Sequence, residues 1–329
     1  MGRVPSGRVP VVVMGLGHIG REICRAALLC EEVDLVGAVD NAPALAGASL
    51  GEVLGFSSEL RVSRTLAEAK RKGSVVLHAT GSRLEEVLEQ LLEAVRQGHP
   101  VVSTCEELSF PYLRHAELAE RLDRAAQRSG VSVVGMGVNP GFVFDRLVAT
   151  LGQTVGPVRH VHATRTVDAG SRREAFQRKV GAGLTEEAFD VLLEKDGVGH
   201  VGLVESAALC ALGLGLDCDD FEEELVPLLA EEDFPGSPIP VPKGRVAGVH
   251  QMAVGLEDGQ ERVRLELTLA VGATAMDRLV LDAGSRLTLE VPGGIPGDSA
   301  TAHLVVHAAP RLTAASPGLL TVLDLPAGR

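Results

Sequence analysis

The feature that most restricts how this chain folds is a glycine-spaced turn, Gly15-Leu16-Gly17-His18-Ile19-Gly20, set between an apolar run and a helical pattern. Val9 to Met14 reads as a buried parallel strand, and Ile19 to Leu29 has helical character. In such a strand–turn–helix each glycine has a task. Gly15 permits the tight turn, Gly17 lets the backbone approach a pyrophosphate, and Gly20 lets the helix pack closely on the strand. The helix start at His18 and Ile19 then offers amide donors to phosphate. A second apolar strand, Asp34 to Val39, stops at Asp40, about twenty residues after the last glycine. A carboxylate there accepts hydrogen bonds from ribose hydroxyls and repels a 2′-phosphate, and Asn41 to Leu45 contains no Arg or Lys. The expected cofactor is NAD, with NADP possible.

The alternation continues beyond the turn. Val75 to Ala79 is a third strand. Leu84, Val87, Leu88, Leu91, Leu92 and Val95 repeat at helical spacing, with Glu85, Glu86, Glu89 and Glu93 opposite and Gly98 as the stop. Val101 to Ser103 is the next strand, Tyr112 to Arg128 reads as a helix, and Val131 to Val134 is another strand. Strands apolar throughout and alternating with helices describe a parallel sheet covered on both faces. After Asn139-Pro140-Gly141 the character changes, and from Val246 onward the period is two. Val263, Leu265, Leu267, Leu269 and Val271 alternate with polar residues, and Leu279/Leu281 and Leu287/Leu289/Val291 follow suit. Helices are expected around Glu174–Val180, Glu186–Leu193, Val201–Leu212 and Ser299–Ala309. A chain of 329 residues exceeds one average domain. The expected fold is α/β: an N-terminal Rossmann-type parallel sheet over residues 1–140, and a second α+β domain over 141–298 built on a mostly antiparallel sheet.

Composition narrows the partners. The formal charge of −13 disfavours nucleic acid and anionic lipid. With no Trp and one Tyr, aromatic platforms for single-stranded nucleic acid are nearly absent. Five scattered cysteines without a CxxC pair argue against a disulfide framework or a zinc site and for a reducing compartment. The opening MGRVPSGRVP carries no signal-peptide core and no long apolar span follows, so a cytoplasmic protein is expected, without membrane or metal.

Four further segments carry candidate chemistry. His78-Ala79-Thr80-Gly81-Ser82 follows a parallel strand on the side where ligands bind, which places Ala79, Thr80 and Gly81 toward the nicotinamide half of a dinucleotide. Ser103-Thr104-Cys105-Glu106-Glu107-Leu108 follows the next strand. Ser103, Thr104 and Cys105 are candidate cofactor contacts, and Glu106 or Glu107 is a candidate general base or a carboxylate for a cationic amine. The competing reading is a solvated pair of glutamates before Pro111, with Cys105 a small buried packing residue. Gly137 to Phe142 ends the last parallel strand; Asn139 is a candidate for the carboxamide or substrate, and Pro140 and Phe142 for the substrate. In the second domain Arg165, Arg172, Arg173, Lys179, His200 and His250 are isolated polar candidates, of which Arg165, His200 and His250 are assigned to the substrate.

Taken together these segments resemble the family of 2,4-diaminopentanoate dehydrogenases and native amine dehydrogenases, distant relatives of dihydrodipicolinate reductase. The likeness runs in order through VVVMGLGHIGREICRA, LVGAVDNAPALAGASLGEVLG, VVLHATGS, VVSTCEELSFP, GVNPGFVFD, FQRKVGAGLTEEAF, GHVGLVES, GVHQ and GDSATAHLVVHAAPRLTAASPGLLTVLDLP. It implies reductive amination of a ketone or aldehyde with ammonia, and the reverse oxidation of a primary amine. It assigns the acid of STCEEL to the amine chemistry, with Glu106 first and Glu107 as the alternative. It also implies a homodimer through the second domain, and residues 299–329 packing back on the nucleotide domain. A diamino acid substrate requires a partner for its carboxylate, for which Arg165 or Arg172 is available. A dihydrodipicolinate-reductase-like imine reduction implies an adjacent His-His pair, which this sequence lacks. A non-catalytic dinucleotide sensor is the remaining alternative.

Overall fold

The computed structural model describes residues 7–56, 58–69, 73–195 and 197–328. The opening residues 1–6, part of the stretch read as lacking a signal-peptide core, lie outside the described residues. The chain divides into two compact units, Met1–Phe142 with Pro296–Arg329, and Val143–Ile295.

The first unit alternates strand and helix. β1 (Val9–Met14) leads to α1 (His18–Leu29) and β2 (Val33–Val39), and then come the short α2 (Leu50–Leu54), β3 (Val62–Ser63) and α3 (Leu66–Ala69). β4 (Val75–His78), α4 (Leu84–Arg96), β5 (Val101–Ser103), α5 (Ala116–Ser129) and β6 (Ser132–Gly135) follow. The central strands are largely apolar because both faces are covered: Val11, Val12, Val13, Val75, Val76, Leu77, Val101 and Val102 are all fully buried. The apolar stripe of α4 forms one core with β4, β5 and α5, joining Leu84, Leu91 and Leu92 to Leu108 and Leu122. α5 begins four residues later than the start expected at Tyr112, because Pro111 to Arg114 form a turn closed by His115 N–H donating to the Pro111 carbonyl.

The second unit contains α6 (Arg146–Gly152), β7 (His160–Asp168), α7 (Glu174–Lys179), α8 (Glu186–Leu193), α9 (Leu203–Leu214) and β8 (Asp220–Leu229). It continues with β9 (Val246–Glu257), β10 (Gln260–Ala270), β11 (Met276–Asp282) and β12 (Arg286–Pro292). These strands form a six-stranded sheet in the order β12-β11-β7-β10-β9-β8, antiparallel except for the β7–β10 pair. The inner face carries Ala163, Arg165, Val263, Leu265, Leu267, Gln251, Ala253, Asp277 and Leu279, and α9 packs against β8, β9 and β10. The Thr185 hydroxyl caps α8, accepting from Ala188 N–H.

The chain then returns to the first unit as α10 (Gly297–Leu312) and β13 (Gly318–Leu320). α10 packs against α1 and the neighbouring strands, and β13 adds to the sheet beside β6. The finished sheet is seven-stranded and wholly parallel, in the order β13-β6-β5-β4-β1-β2-β3. Strand order reverses at β1, which lies between β2 and β4. In open α/β sheets the crevice beyond the strand ends at such a reversal is where ligands bind.

Candidate active site

The carboxyl ends of β1, β2, β4, β5 and β6 present the five loops singled out by the sequence. At the first, Gly15 has φ +91°, and a Cβ there would lie 2.5 Å from the Ala79 carbonyl oxygen. A Cβ on Gly20 would lie 1.7 Å from the Gly15 carbonyl oxygen, so helix and turn touch through bare backbone. Gly17 differs: nothing stands within 4 Å of where its Cβ would be, and it starts α1 without a side-chain cap. An open glycine at an uncapped helix start is the cradle that a pyrophosphate requires, and the turn fits a dinucleotide. Asp40 closes this turn. Its carboxylate accepts from Leu16 N–H (2.7 Å) and from Ala42 N–H (2.9 Å). His18 stands 2.9 Å from the carboxylate of Asp298 in the first turn of α10. Ile19 is the next residue of α1 and half-buried.

The loops after β4 and β5 are tied together. Ala79 N–H donates to the Met14 carbonyl and Thr104 N–H to the His78 carbonyl. Cys105 is fully buried, its thiol donates to the Ser82 carbonyl (3.1 Å), and burial pushes its pKa far up, so it packs as a neutral thiol. Gly81 sits over α4, where a Cβ would come within 2.9 Å of Val87. Behind these loops His78 is buried, with Nδ1 2.8 Å from Ser103 Oγ and Nε2 2.7 Å from Thr80 Oγ1.

The two glutamates have different surroundings. Glu107 is 3% exposed, and one oxygen accepts from Leu84 N–H at the start of α4 (2.6 Å) while lying 3.0 Å from His115 Nε2. It therefore caps a helix from a distance. Glu106 is half-buried and opens a 3₁₀ turn, Glu107–Ser109, one residue closer to the strand end.

At the end of β6, Val138 N–H donates to Thr301 Oγ1 of α10 (3.0 Å). The Asn139-Pro140 bond is cis, and Gly141 has φ +121°. Asn139 and Pro140 are buried and Phe142 half-buried. Thus Gly15, Gly17, His18, Ile19, Gly20, Asp40, Ala79, Thr80, Gly81, Ser103, Thr104, Cys105, Glu106, Glu107, Asn139, Pro140 and Phe142 all lie in these loops or beside them.

The second-unit candidates are dispersed. Arg165 is buried, donates to both oxygens of Asp277 (2.8 and 2.7 Å) and reaches the Ile295 carbonyl (2.5 Å). The backbone of His200 is clasped by Gln251 through two bonds of 2.8 Å. His250, adjacent to Gln251 in β9, points to the opposite sheet face and pairs with Thr268 (3.0 Å). Arg172 stacks over Phe176 at 4.8 Å. Sequence reasoning missed Gln90, His115, Asp298 and Thr301 as partners of the site loops. No local spacing marks them, since each reaches a loop through tertiary packing.

Two family models match. Residues 9–107 match the dihydrodipicolinate reductase N-terminus, and residues 142–329, more than half the chain, match the 2,4-diaminopentanoate dehydrogenase C-terminal domain. The chain belongs to the 2,4-diaminopentanoate dehydrogenase C-terminal domain family. A 2,4-diaminopentanoate dehydrogenase from Acetoanaerobium sticklandii is 26% identical over 98% of this chain and 94% of its own length. An amine dehydrogenase from Streptomyces virginiae is 23% identical, covering 97% and 96%. The solved amine dehydrogenase of Mycobacterium smegmatis superposes with a TM-score of 0.86 at 22% identity, over 99% of this chain and 98% of that one. The last comparison establishes the shared fold of this family: a parallel Rossmann-type sheet joined to a mixed, mostly antiparallel one. Among the described residues no helix is long and apolar enough to cross a membrane.

Proposed function

We propose that this family member is a nicotinamide-dependent amine dehydrogenase, coupling a ketone or aldehyde and ammonia to a primary amine. The observation that carries this reading is a half-buried carboxylate, Glu106, three residues beyond the end of β5 on the ligand side of the parallel sheet, next to Glu107, which is buried and caps α4. The relatives named as amine and diaminopentanoate dehydrogenases, which span almost the whole chain, support the same reaction class.

Gly15, Gly17 and Gly20 with the start of α1 would hold the pyrophosphate, and Asp40 the adenosine ribose. The bound nicotinamide supplies or accepts a hydride at the carbon that carries nitrogen. The protein's own part is proton transfer and charge. Glu106 takes a proton from ammonium so that ammonia attacks the carbonyl carbon. It then returns a proton to the carbinolamine hydroxyl, which departs as water and leaves an iminium. A carboxylate suits both duties because ammonium and iminium are cations. Ser103, Thr104 and Cys105 form the backbone of this turn, and Asn139 with Pro140 borders the sheet end beside it.

Asp40 favours NAD over NADP, because its charge opposes a 2′-phosphate. Asp40→Ala is expected to raise the NADP-to-NAD ratio of kcat/KM; an unchanged ratio removes Asp40 from the ribose. A simple amine is preferred to a diamino acid, since Arg165, a buried cation of the second unit, is held by Asp277 and Ile295. The same reading takes the protein as a cytoplasmic homodimer joined through the second unit. Five free cysteines suit a reducing compartment.

The test is NADH oxidation across a panel of small ketones and aldehydes with and without ammonium. Ammonia-dependent turnover is expected. Turnover indifferent to ammonia overturns the amine assignment, and tight NADH binding with no turnover favours a dinucleotide sensor.

A further inference from the structure

Behind the candidate site lies a buried imidazole that the proposed chemistry does not use. We propose that His78 is a positioning residue for the Glu106 turn, held in its Nε2–H tautomer by a one-way chain of hydrogen bonds running from Cys105 N–H to Gln90. This rests on the amine dehydrogenase reading for its role in turnover, but not for its tautomer.

The chain follows from donors and acceptors. Cys105 N–H donates to Ser103 Oγ (3.1 Å), so that hydroxyl has its own proton to give to His78 Nδ1, 2.8 Å away. On the other side Thr80 Oγ1 donates to Gln90 Oε1 (2.8 Å), an oxygen that only accepts. With its proton so used, Thr80 Oγ1 accepts, and His78 Nε2 at 2.7 Å supplies the N–H. The same nitrogen lies 3.3 Å from Gln90 Oε1, which a bare nitrogen lone pair would repel and an N–H satisfies. Every proton in Cys105 N–H → Ser103 Oγ–H → His78 → Thr80 Oγ1–H → Gln90 therefore points one way. The opposite tautomer would turn two lone pairs toward each other between His78 and Thr80.

The consequence is mechanical. Ser103 ends β5, Cys105 precedes Glu106 directly, and Thr80 belongs to the loop after β4. A single planar ring thus fixes the spacing of the two strand-end loops and the pitch of the backbone from which Glu106 departs. Burial pulls the His78 pKa down from 6.5 to about 4, which keeps the ring neutral and the chain intact at neutral pH. A misplacement of a catalytic carboxylate by about 1 Å costs up to about 100-fold in rate.

The full-length chain labelled with 15N-histidine tests the tautomer at pH 7, with the His78 signals assigned by their loss in His78→Gln. A long-range 1H–15N pattern of the Nε2–H form is expected, and Gln90→Leu should turn it into a mixture. An Nδ1–H or imidazolium pattern overturns the proposal, as does a pure Nε2–H pattern that survives Gln90→Leu. Turnover is tested with His78→Leu and His78→Gln, the amide of Gln retaining a donor toward Thr80. His78→Leu is expected to lower kcat for reductive amination about 10-fold to 100-fold while NADH affinity stays within about threefold, and His78→Gln to recover most of the loss. Wild-type kcat in His78→Leu, or a loss confined to NADH affinity, overturns it; should that variant not fold, an uncorrected low kcat in folded His78→Gln does so instead. A wild-type enzyme without ammonia-dependent turnover would sink the proposed function and leave the tautomer result standing.

Discussion

Glu106 and Glu107 are neighbours in sequence, yet the structure gives them different surroundings. The carboxylate of Glu107 is consumed by Leu84 N–H and stands against His115, while Glu106 opens the turn. Two variants separate them. Glu106→Ala should lower kcat by about 100-fold or more with little change in thermal stability, the loss expected for a removed acid–base group. Glu107→Ala should cost about 2 kcal/mol of unfolding free energy, the scale of a buried hydrogen bond to a charged group. Kinetics and denaturant unfolding read the two effects, and a reversed pattern exchanges the roles. His78 has a signature of its own. Its folded pKa of about 4 lies below the ordinary 6.5, so in that window the unfolded chain binds a proton that the folded one refuses. Stability is therefore complete above about pH 6.5 and is lost as pH falls toward about 4, by about 3 kcal/mol at ~1.4 kcal/mol per pKa unit. The unfolding free energies of wild type and His78→Gln should converge by about 2 to 3 kcal/mol between about pH 7.5 and about pH 4.5. The segment STCEEL was legible as a loop at the carboxyl end of a parallel strand. That Glu107 caps α4 was not, because Leu84 and His115 meet it only through tertiary packing.

At the level of elements, the glycine turn shows how little room a phosphate-binding loop leaves. Gly20→Ala would drive a Cβ to 1.7 Å from the Gly15 carbonyl, so α1 must shift off β1. NADH affinity should fall at least about tenfold by fluorescence titration, whereas Gly17→Ala meets no protein atom and should damage binding only through the ligand's own approach. In the first sheet β1, β2, β4, β5 and β6 were readable because burial on both faces makes them largely apolar, whereas the two-residue β3 was too short to read. In the second sheet the long β9 to β12 stretch was readable by its period of two. β7 and β8 were not. β7 turns Ala163 and Arg165 inward, small and charged where an apolar residue would mark a strand, and β8 is an edge strand rich in exposed glutamate. β13 has three residues, too few for any periodicity.

For the molecule as a whole, the decisive fact is that the parallel sheet is finished by the far end of the chain. α10 buries Ala302, Val305, Val306, Ala309 and Leu312, and Gly318 N–H and Leu319 N–H bond back to Val131 and Asp123. A chain truncated after Ile295 should lose cooperative unfolding of the nucleotide unit, seen as a missing thermal transition and lost NADH binding; a truncated protein that still binds NADH would make this segment dispensable. The same topology sets an order of events during synthesis. The nascent nucleotide unit is made before the intervening unit but has no last strand or covering helix until residues 297–320 are made. The intervening unit, contiguous in sequence, has all its strands beforehand. Completion of the parallel sheet thus waits on a segment made after the whole intervening unit, and a translation product that stops before residues 297–320 cannot present a finished dinucleotide cradle.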